Sequence, residues 1–67
     1  MPFILQDIKS GMFVRQYSFH LLFWTGEEKK AKRFDDRPDA ETFLIEHDRE
    51  KELAIVPFVK EKIYTHA

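Results

Sequence analysis

The three histidines, at positions 20, 47 and 66, are the side chains of this sequence best suited to acid–base chemistry or metal binding. Their spacing matches none of the motifs in which two histidines and a carboxylate share one face of an element. His47 stands between Glu46 and Asp48, but adjacent residues of a helix point in different directions and cannot form one site. His20 lies on an apolar strand, where its protonation near neutral pH would affect an interface.

Nucleophilic and phosphate-binding chemistry has no better support. The chain has no cysteine, and Ser10 and Ser18 lack the Gly-x-Ser-x-Gly context of an activated serine. Phosphate-binding loops need several glycines, whereas Gly11 and Gly26 stand alone. We therefore predict a non-enzymatic protein with no catalytic residue, no metal and no cofactor.

One basic cluster indicates a different kind of chemistry, the binding of nucleic acid. It comprises Lys29, Lys30, Lys32 and Arg33. On a hairpin strand these cations would lie across from Trp24, which could stack on a base. Acidic residues flank the cluster on both sides, and the net charge of the chain is -1, so the field at the cluster is partly cancelled. A nucleic-acid-binding module is the alternative function.

The segment Met12 to Thr25 must position most of these groups, and it is apolar at both odd and even positions without an intervening Gly or Pro. Alternate residues of a strand point to opposite faces of a sheet. We therefore predict one long central strand that is covered on both sides. A bulge or break near residues 16–18 is the alternative, since it would make two shorter strands whose faces swap.

The neighbouring elements follow from turn and cap signals. Residues 3–8 predict a first strand that ends at the Ser10-Gly11 turn. After the loop at Gly26, residues 29–34 predict a third strand, with a short helix over residues 27–34 as the rival interpretation.

The helix and the last strand have stronger signals. Asp36 suits the N-cap and Pro38 the first turn, while Ala40, Phe43 and Leu44 share one helical face. We predict that this helix ends between residues 48 and 51. Residues 53–59 predict a last strand. Because Pro57 has no N–H to donate, this strand either lies at the edge of the sheet or ends near Val56. We predict that residues 60–67 form a polar tail.

Together these elements predict a single domain over residues 1–67, an α+β fold of order βββαβ with a small antiparallel sheet packed on one helix. One helix covers one sheet face. We assign it the odd positions of the central strand, which leaves the even positions for a dimer partner or another protein. These predicted partner-binding residues are Met12, Val14, His20, Leu22 and Trp24.

Residues 31–36, followed by Ala40 and Phe43, carry a resemblance. A strand that ends in Phe-Asp and leads through a cap into a helix resembles many short prophage-type and uncharacterised bacterial proteins. It is also similar to the arm-DNA-binding domains of tyrosine recombinases, which are three-stranded sheets backed by a helix. The resemblance implies this fold and a phage or mobile-element origin. In a phage context, a small binding protein of this kind would act as a modulator of a host protein. In the arm domains basic residues of the sheet enter DNA, whereas here His20 and Leu22 stand where positive charge would be expected.

Composition limits the remaining classes. Hydrophobic residues make up 43% of the chain and aromatic residues 15%, which is typical of a folded domain rather than a disordered one. The first residues meet Asp7 before a signal-peptide core could form, and no apolar run reaches the roughly 18 residues of a membrane span. We expect a cytoplasmic protein that does not bind membranes.

Overall fold

A computed structural model describes residues 1–59 of the 67-residue chain. Its elements, in chain order, are β1 (Phe3–Asp7), β2 (Phe13–Ser18), β3 (Leu21–Thr25), a single 3₁₀ turn (Glu28–Lys30), α1 (Arg37–Glu46) and β4 (Leu53–Pro57). The strands form one antiparallel sheet in the order β3-β2-β1-β4. The predicted α+β fold of order βββαβ is therefore confirmed, whereas the predicted tail at 60–67 lies outside the described residues.

The predicted long strand from Met12 to Thr25 is wrong, because two interruptions divide it. The pairing of β2 with β3 shifts register between Val14 and Gln16, which makes Arg15 a β-bulge. Phe19 and His20 then form a two-residue hairpin turn that Ser18 and Leu21 close. The structure instead shows the alternative of two shorter strands. The bulge at Arg15 lies one residue before the predicted range of 16–18, and the turn at Phe19 begins just after it.

The bulge also changes which side chains face the helix. Leu5, Val14 and Leu53 pack against α1, and we call this side of the sheet the helix face. Past the bulge, Tyr17 and its cross-strand neighbour Leu22 lie on the same face, and Leu22 packs on this core. The assignment of the odd positions to the helix is therefore wrong, because the even residues Val14, Leu22 and Trp24 lie on the helix face. Tyr17 joins them because the extra residue at the bulge reverses the alternation of side chains in β2.

The other side of the sheet, the opposite face, has a smaller core of its own. Ile4, Phe13, Ala31 and Phe58 are buried there, and Val56 packs against them. The chain thus covers this face itself near β1, with the segment after β3 and the residue after β4. Phe58 is held by its N–H, which donates to the carbonyl of Pro2 (2.8 Å).

The predicted third strand over residues 29–34 is also wrong. A 3₁₀ turn occupies Glu28–Lys30. The stretch after it meets the sheet only at an isolated bridge, in which Phe34 exchanges two 2.8 Å hydrogen bonds with Phe3, and at one hydrogen bond from Lys32 to Val14. The rival prediction of a short helix over residues 27–34 is also wrong, because the helical part is limited to the single 3₁₀ turn at Glu28–Lys30. Ala31 packs on the opposite face and Phe34 on the helix face, so the stretch contributes to both cores.

The helix begins, and the last strand lies, where the sequence predicts them. Asp36 is the N-cap with extended dihedrals, but its side chain makes no capping hydrogen bond. The helix ends at Glu46 rather than at 48–51, because the chain turns at Asp48, whose φ is +52°. Three residues, Ala40, Phe43 and Leu44, are buried, as the spacing predicted. The last strand is an edge strand whose final residue is Pro57.

The turn after β1 is held by side-chain hydrogen bonds. Asp7 accepts from the hydroxyl of Ser10 (2.6 Å) and from its N–H (3.2 Å), and Gly11 adopts a φ of +78°. The hydrogen bond from the Ser10 hydroxyl is the main reason why the pKa of Asp7 is lowered. The turn fixes the start of β2 against β1.

Candidate functional site

The outer part of the β2–β3 hairpin, residues 15–24, separates from the rest of the sheet, and we call it the hairpin arm. Beyond Val14 the stretch 31–34 takes the place of β1 next to β2. The N–H of Lys32 donates to the carbonyl of Val14 (2.8 Å), while Phe34 pairs with Phe3. Because the β1–β2 pairing stops here, the arm depends on its own two strands and on contacts with α1.

The turn at the tip of the hairpin arm is formed by Phe19 and His20, residue types that are unusual in such a turn. Phe19 has a φ of +51° and His20 a φ of +63°, the two positive values of a type I′ turn. Such turns favour Asn-Gly, because other L-residues lose energy in the left-handed region. The side chain of Phe19 is 90% exposed. The turn therefore places an aromatic ring in solvent, in a backbone conformation that phenylalanine disfavours.

The last strand of the arm continues this apolar surface. Leu21 is 59% exposed and Phe23 42%, both on the opposite face, while Trp24 is 37% exposed on the helix face next to Val14. None of the five residues of β3 is charged. The exposed apolar residues thus follow β3 on both of its faces and end at Phe19.

The residues predicted to bind a partner differ in their exposure. Val14 is fully buried in the core and Leu22 is half-buried against it, so Val14 has no exposed surface for a partner. Met12, His20 and Trp24 are exposed, although Met12 lies before β2, away from the turn. The prediction missed Phe19, Leu21 and Phe23, which it had assigned to the core. Only a recognised turn at residues 19–20 could have identified them.

A second group of side chains lies where the arm meets the end of α1. The hydroxyl of Tyr17 and Nδ1 of His20 are hydrogen bonded at 3.2 Å. The rings of Tyr17 and His47 lie edge to face with centroids 4.1 Å apart, and His47 stacks on Phe43 at the same distance. Together with Leu22 and the polar residues 46, 48 and 49, the tyrosine and both histidines line a cavity of about 280 Å³.

Several polar groups that line this cavity already make hydrogen bonds within the protein, which limits the chemistry they can do. Nδ1 of His47 donates to the carbonyl of Phe43 (2.8 Å), so its free nitrogen is Nε2. Within residues 1–59 no three metal-ligating side chains come together. His66, the third histidine, lies outside the described residues. The ring contacts of Tyr17 with Phe43 and His47 join the arm to the helix, whereas its hydrogen bond with His20 lies within the arm.

The basic cluster does not form one surface. Lys30 pairs with Glu27 (2.9 Å), which lowers the pKa of that carboxyl, chiefly through this hydrogen bond. The guanidinium of Arg33 lies 4.4 Å from the ring centre of Phe58, on the opposite face. The amine of Lys32 lies 5.3 Å from the ring centre of Phe34, which packs on the helix face. Cations on two sides of the sheet do not present a single track to a phosphate backbone.

Comparison with models of protein families, with curated proteins and with solved structures finds no match for this chain. The resemblance to prophage-type proteins and recombinase arm domains therefore stays a prediction. No helix within residues 1–59 is long and apolar enough to cross a membrane.

Proposed function

We propose that the protein is a protein-interaction module and that the hairpin arm is its binding surface. The observation that carries the proposal is Phe19, whose side chain is 90% exposed on a backbone with a φ of +51°. A phenylalanine at this position makes no core contact that would offset the cost of its conformation. Unfavourable backbone geometry of this kind is concentrated at functional sites.

The composition of the arm fits binding to a protein surface. Interfaces derive most of their energy from a few aromatic side chains that fill pockets on the partner. Phe19, Phe23 and Trp24 provide three such rings within six residues. The edge of β3 adds backbone N–H and C=O groups that no strand among residues 1–59 pairs with on its outer side.

The proposal is tested by capture of binding proteins with the full chain and two variants. Phe19→Asn removes the ring but suits a positive φ, so the turn is kept. Ile45→Ser is the matched control, because Ile45 is an exposed apolar residue (66%) on the helix and is not part of the arm. Each chain is immobilised and exposed to lysate of the source organism, and bound proteins are quantified by mass spectrometry.

We expect that at least one protein, including a second copy of the chain, binds the unmodified chain and Ile45→Ser equally. Its recovery on Phe19→Asn should fall by about tenfold, because loss of a hot-spot side chain costs more than about 1 kcal/mol of binding energy. If every captured protein binds all three chains alike, the arm is not the binding surface and the proposal is wrong.

A further inference from the structure

The two edges of the sheet differ in how they are protected from pairing with another chain. The edge strand β4 ends in Pro57, which cannot donate a hydrogen bond, and its neighbour Phe58 is tied to Pro2. The other edge strand, β3, is Leu-Leu-Phe-Trp-Thr and carries no proline, no charge and no bulge. Proteins usually protect exposed edges with such devices. Their absence on β3 indicates an edge that pairs with a strand.

The turn determines which backbone groups of β3 point outwards. In a two-residue hairpin the closing pair, Ser18 and Leu21, exchanges hydrogen bonds, and the direction of these groups then alternates along the strand. Leu21 and Phe23 therefore direct their backbone groups towards β2. Leu22 and Trp24 direct their N–H and C=O groups away from β2, at the edge with which no strand of residues 1–59 pairs.

We propose that β3 pairs in an antiparallel manner with β3 of a second copy of this chain, with the two-fold axis at Phe23. This inference rests on the proposed function, because it names the occupant of the same arm. With the axis at Phe23, Leu22 of each copy lies opposite Trp24 of the other. These are the residues with free backbone groups, so they exchange about four hydrogen bonds in total.

The side chains also match in this register. Phe23 meets Phe23 of the second copy on the opposite face, and Leu22 meets Trp24 on the helix face. Aromatic and apolar cross-strand pairs of this kind stabilise a sheet, each by roughly 0.2–1 kcal/mol. No charged residue of β3 lies opposite a like charge, since the strand has none. The two four-stranded sheets become one continuous sheet.

The ends of the paired strands are compatible as well. The register brings the turn of one copy next to Gly26 and Glu27 of the other. No atom lies within 4 Å of the place where a side chain on Gly26 would begin, so there is room for the turn. Glu27 is a carboxylate whose pKa is lowered by its hydrogen bond with Lys30, and it would lie near His20, a group of opposite charge when protonated.

The absence of cysteine from the chain allows a direct test by cross-linking. In the proposed dimer the two Phe23 Cα atoms form a non-hydrogen-bonded pair about 4.5 Å apart. Disulfides need roughly 4.4–6.8 Å. Phe23→Cys should therefore form a disulfide-linked dimer under mild oxidation. Leu21→Cys is the matched control, on the same strand and face, because the two copies of Leu21 would be about 13 Å apart along the strand.

Light scattering of the unmodified chain between about 1 and 500 μM gives the oligomeric state. We expect a concentration-dependent dimer, and a disulfide-linked dimer that forms at least tenfold faster for Phe23→Cys than for Leu21→Cys. Equal mixing of Phe23→Lys with Phe23→Glu should restore a dimer that neither variant forms alone, because opposite charges then meet at the axis.

Three results would overturn the inference. One is a chain that stays monomeric over the whole range, and another is cross-linking of Leu21→Cys as fast as that of Phe23→Cys. The third is a mixture of the lysine and glutamate variants that remains monomeric. If any of these occurs while Phe19→Asn still loses a captured protein, the arm binds a different protein and the proposed function stands without self-pairing.

Discussion

Replacing the turn residues Phe19-His20 by Asn-Gly should stabilise the fold and weaken binding at the same time. Both residues have positive φ, a conformation that costs L-residues roughly 1–2 kcal/mol each. Glycine at position 20 removes this cost and asparagine at position 19 reduces it, so the relief is about 2–3 kcal/mol in total.

Three losses reduce that gain. Glycine has more freedom in the unfolded chain, which costs about 0.5–1 kcal/mol. The exposed hydrogen bond between Tyr17 and His20 contributes about 0.5 kcal/mol. Because Phe19 is 90% exposed, its replacement removes only about 0.2 kcal/mol of burial. The variant should therefore gain about 1 kcal/mol, which for a domain of this size raises Tm by roughly 4–8 °C.

Thermal and urea unfolding followed by circular dichroism measure this difference. Both chains are compared near 1 μM, where association contributes least to the stability of the native state. Phe19→Ala is the control, since it removes the ring but retains the unfavourable backbone and should change stability little. A Tm that is unchanged or lower in the Asn-Gly variant would show that the turn is not strained, and the argument from Phe19 to a binding role would then fail.

Other predictions concern the core, the first turn and a ring contact. Val14→Ala should lower the free energy of unfolding by about 2 kcal/mol in urea titrations, because Val14 is fully buried. Ser10→Ala should raise the pKa of Asp7, measured by NMR titration, because it removes the hydrogen bond that lowers this pKa. A carboxyl whose pKa is lowered in the folded state stabilises the fold at pH values above its pKa in the unfolded chain, and this stabilisation is lost as the pH falls. The stability of the variant should therefore depend less on pH in the acid range. Arg33→Gln should cost about 0.5–1 kcal/mol of stability by loss of the cation–π contact with Phe58, whereas Arg33→Lys should cost less.

The parts of the fold that the sequence predicts well are those with local chemical signals. Asp36 and Pro38 mark the start of α1, and the spacing of Ala40 and Phe43 gives its buried face. Pro57 identifies an edge strand. Each of these signals acts within a few residues, through a missing N–H or a helical period, and therefore does not depend on the rest of the molecule. Asp36 takes the N-cap position, although its side chain makes no capping hydrogen bond.

The hairpin could not be predicted because its turn has no sequence signal. A search for turns relies on Gly, Asn, Asp or Pro, and Phe19-His20 contains none of them. The bulge at Arg15 has no marker either, although it decides that Val14 and Tyr17 face the same side. The exposed apolar residues Phe19, Leu21 and Phe23 of the hairpin arm were therefore assigned to the core.

The pairing of β1 with β4 has a consequence for the order in which the protein folds. Phe3 pairs with Pro57, so the two strands are separated by almost the whole described chain. The hairpin arm involves neighbours in sequence and can form within microseconds. During folding the arm and its apolar β3 edge can thus form before Leu53–Pro57 pairs with β1, and the cores remain open until that strand is in place. A folding chain would therefore expose its uncharged edge strand before it could close its sheet.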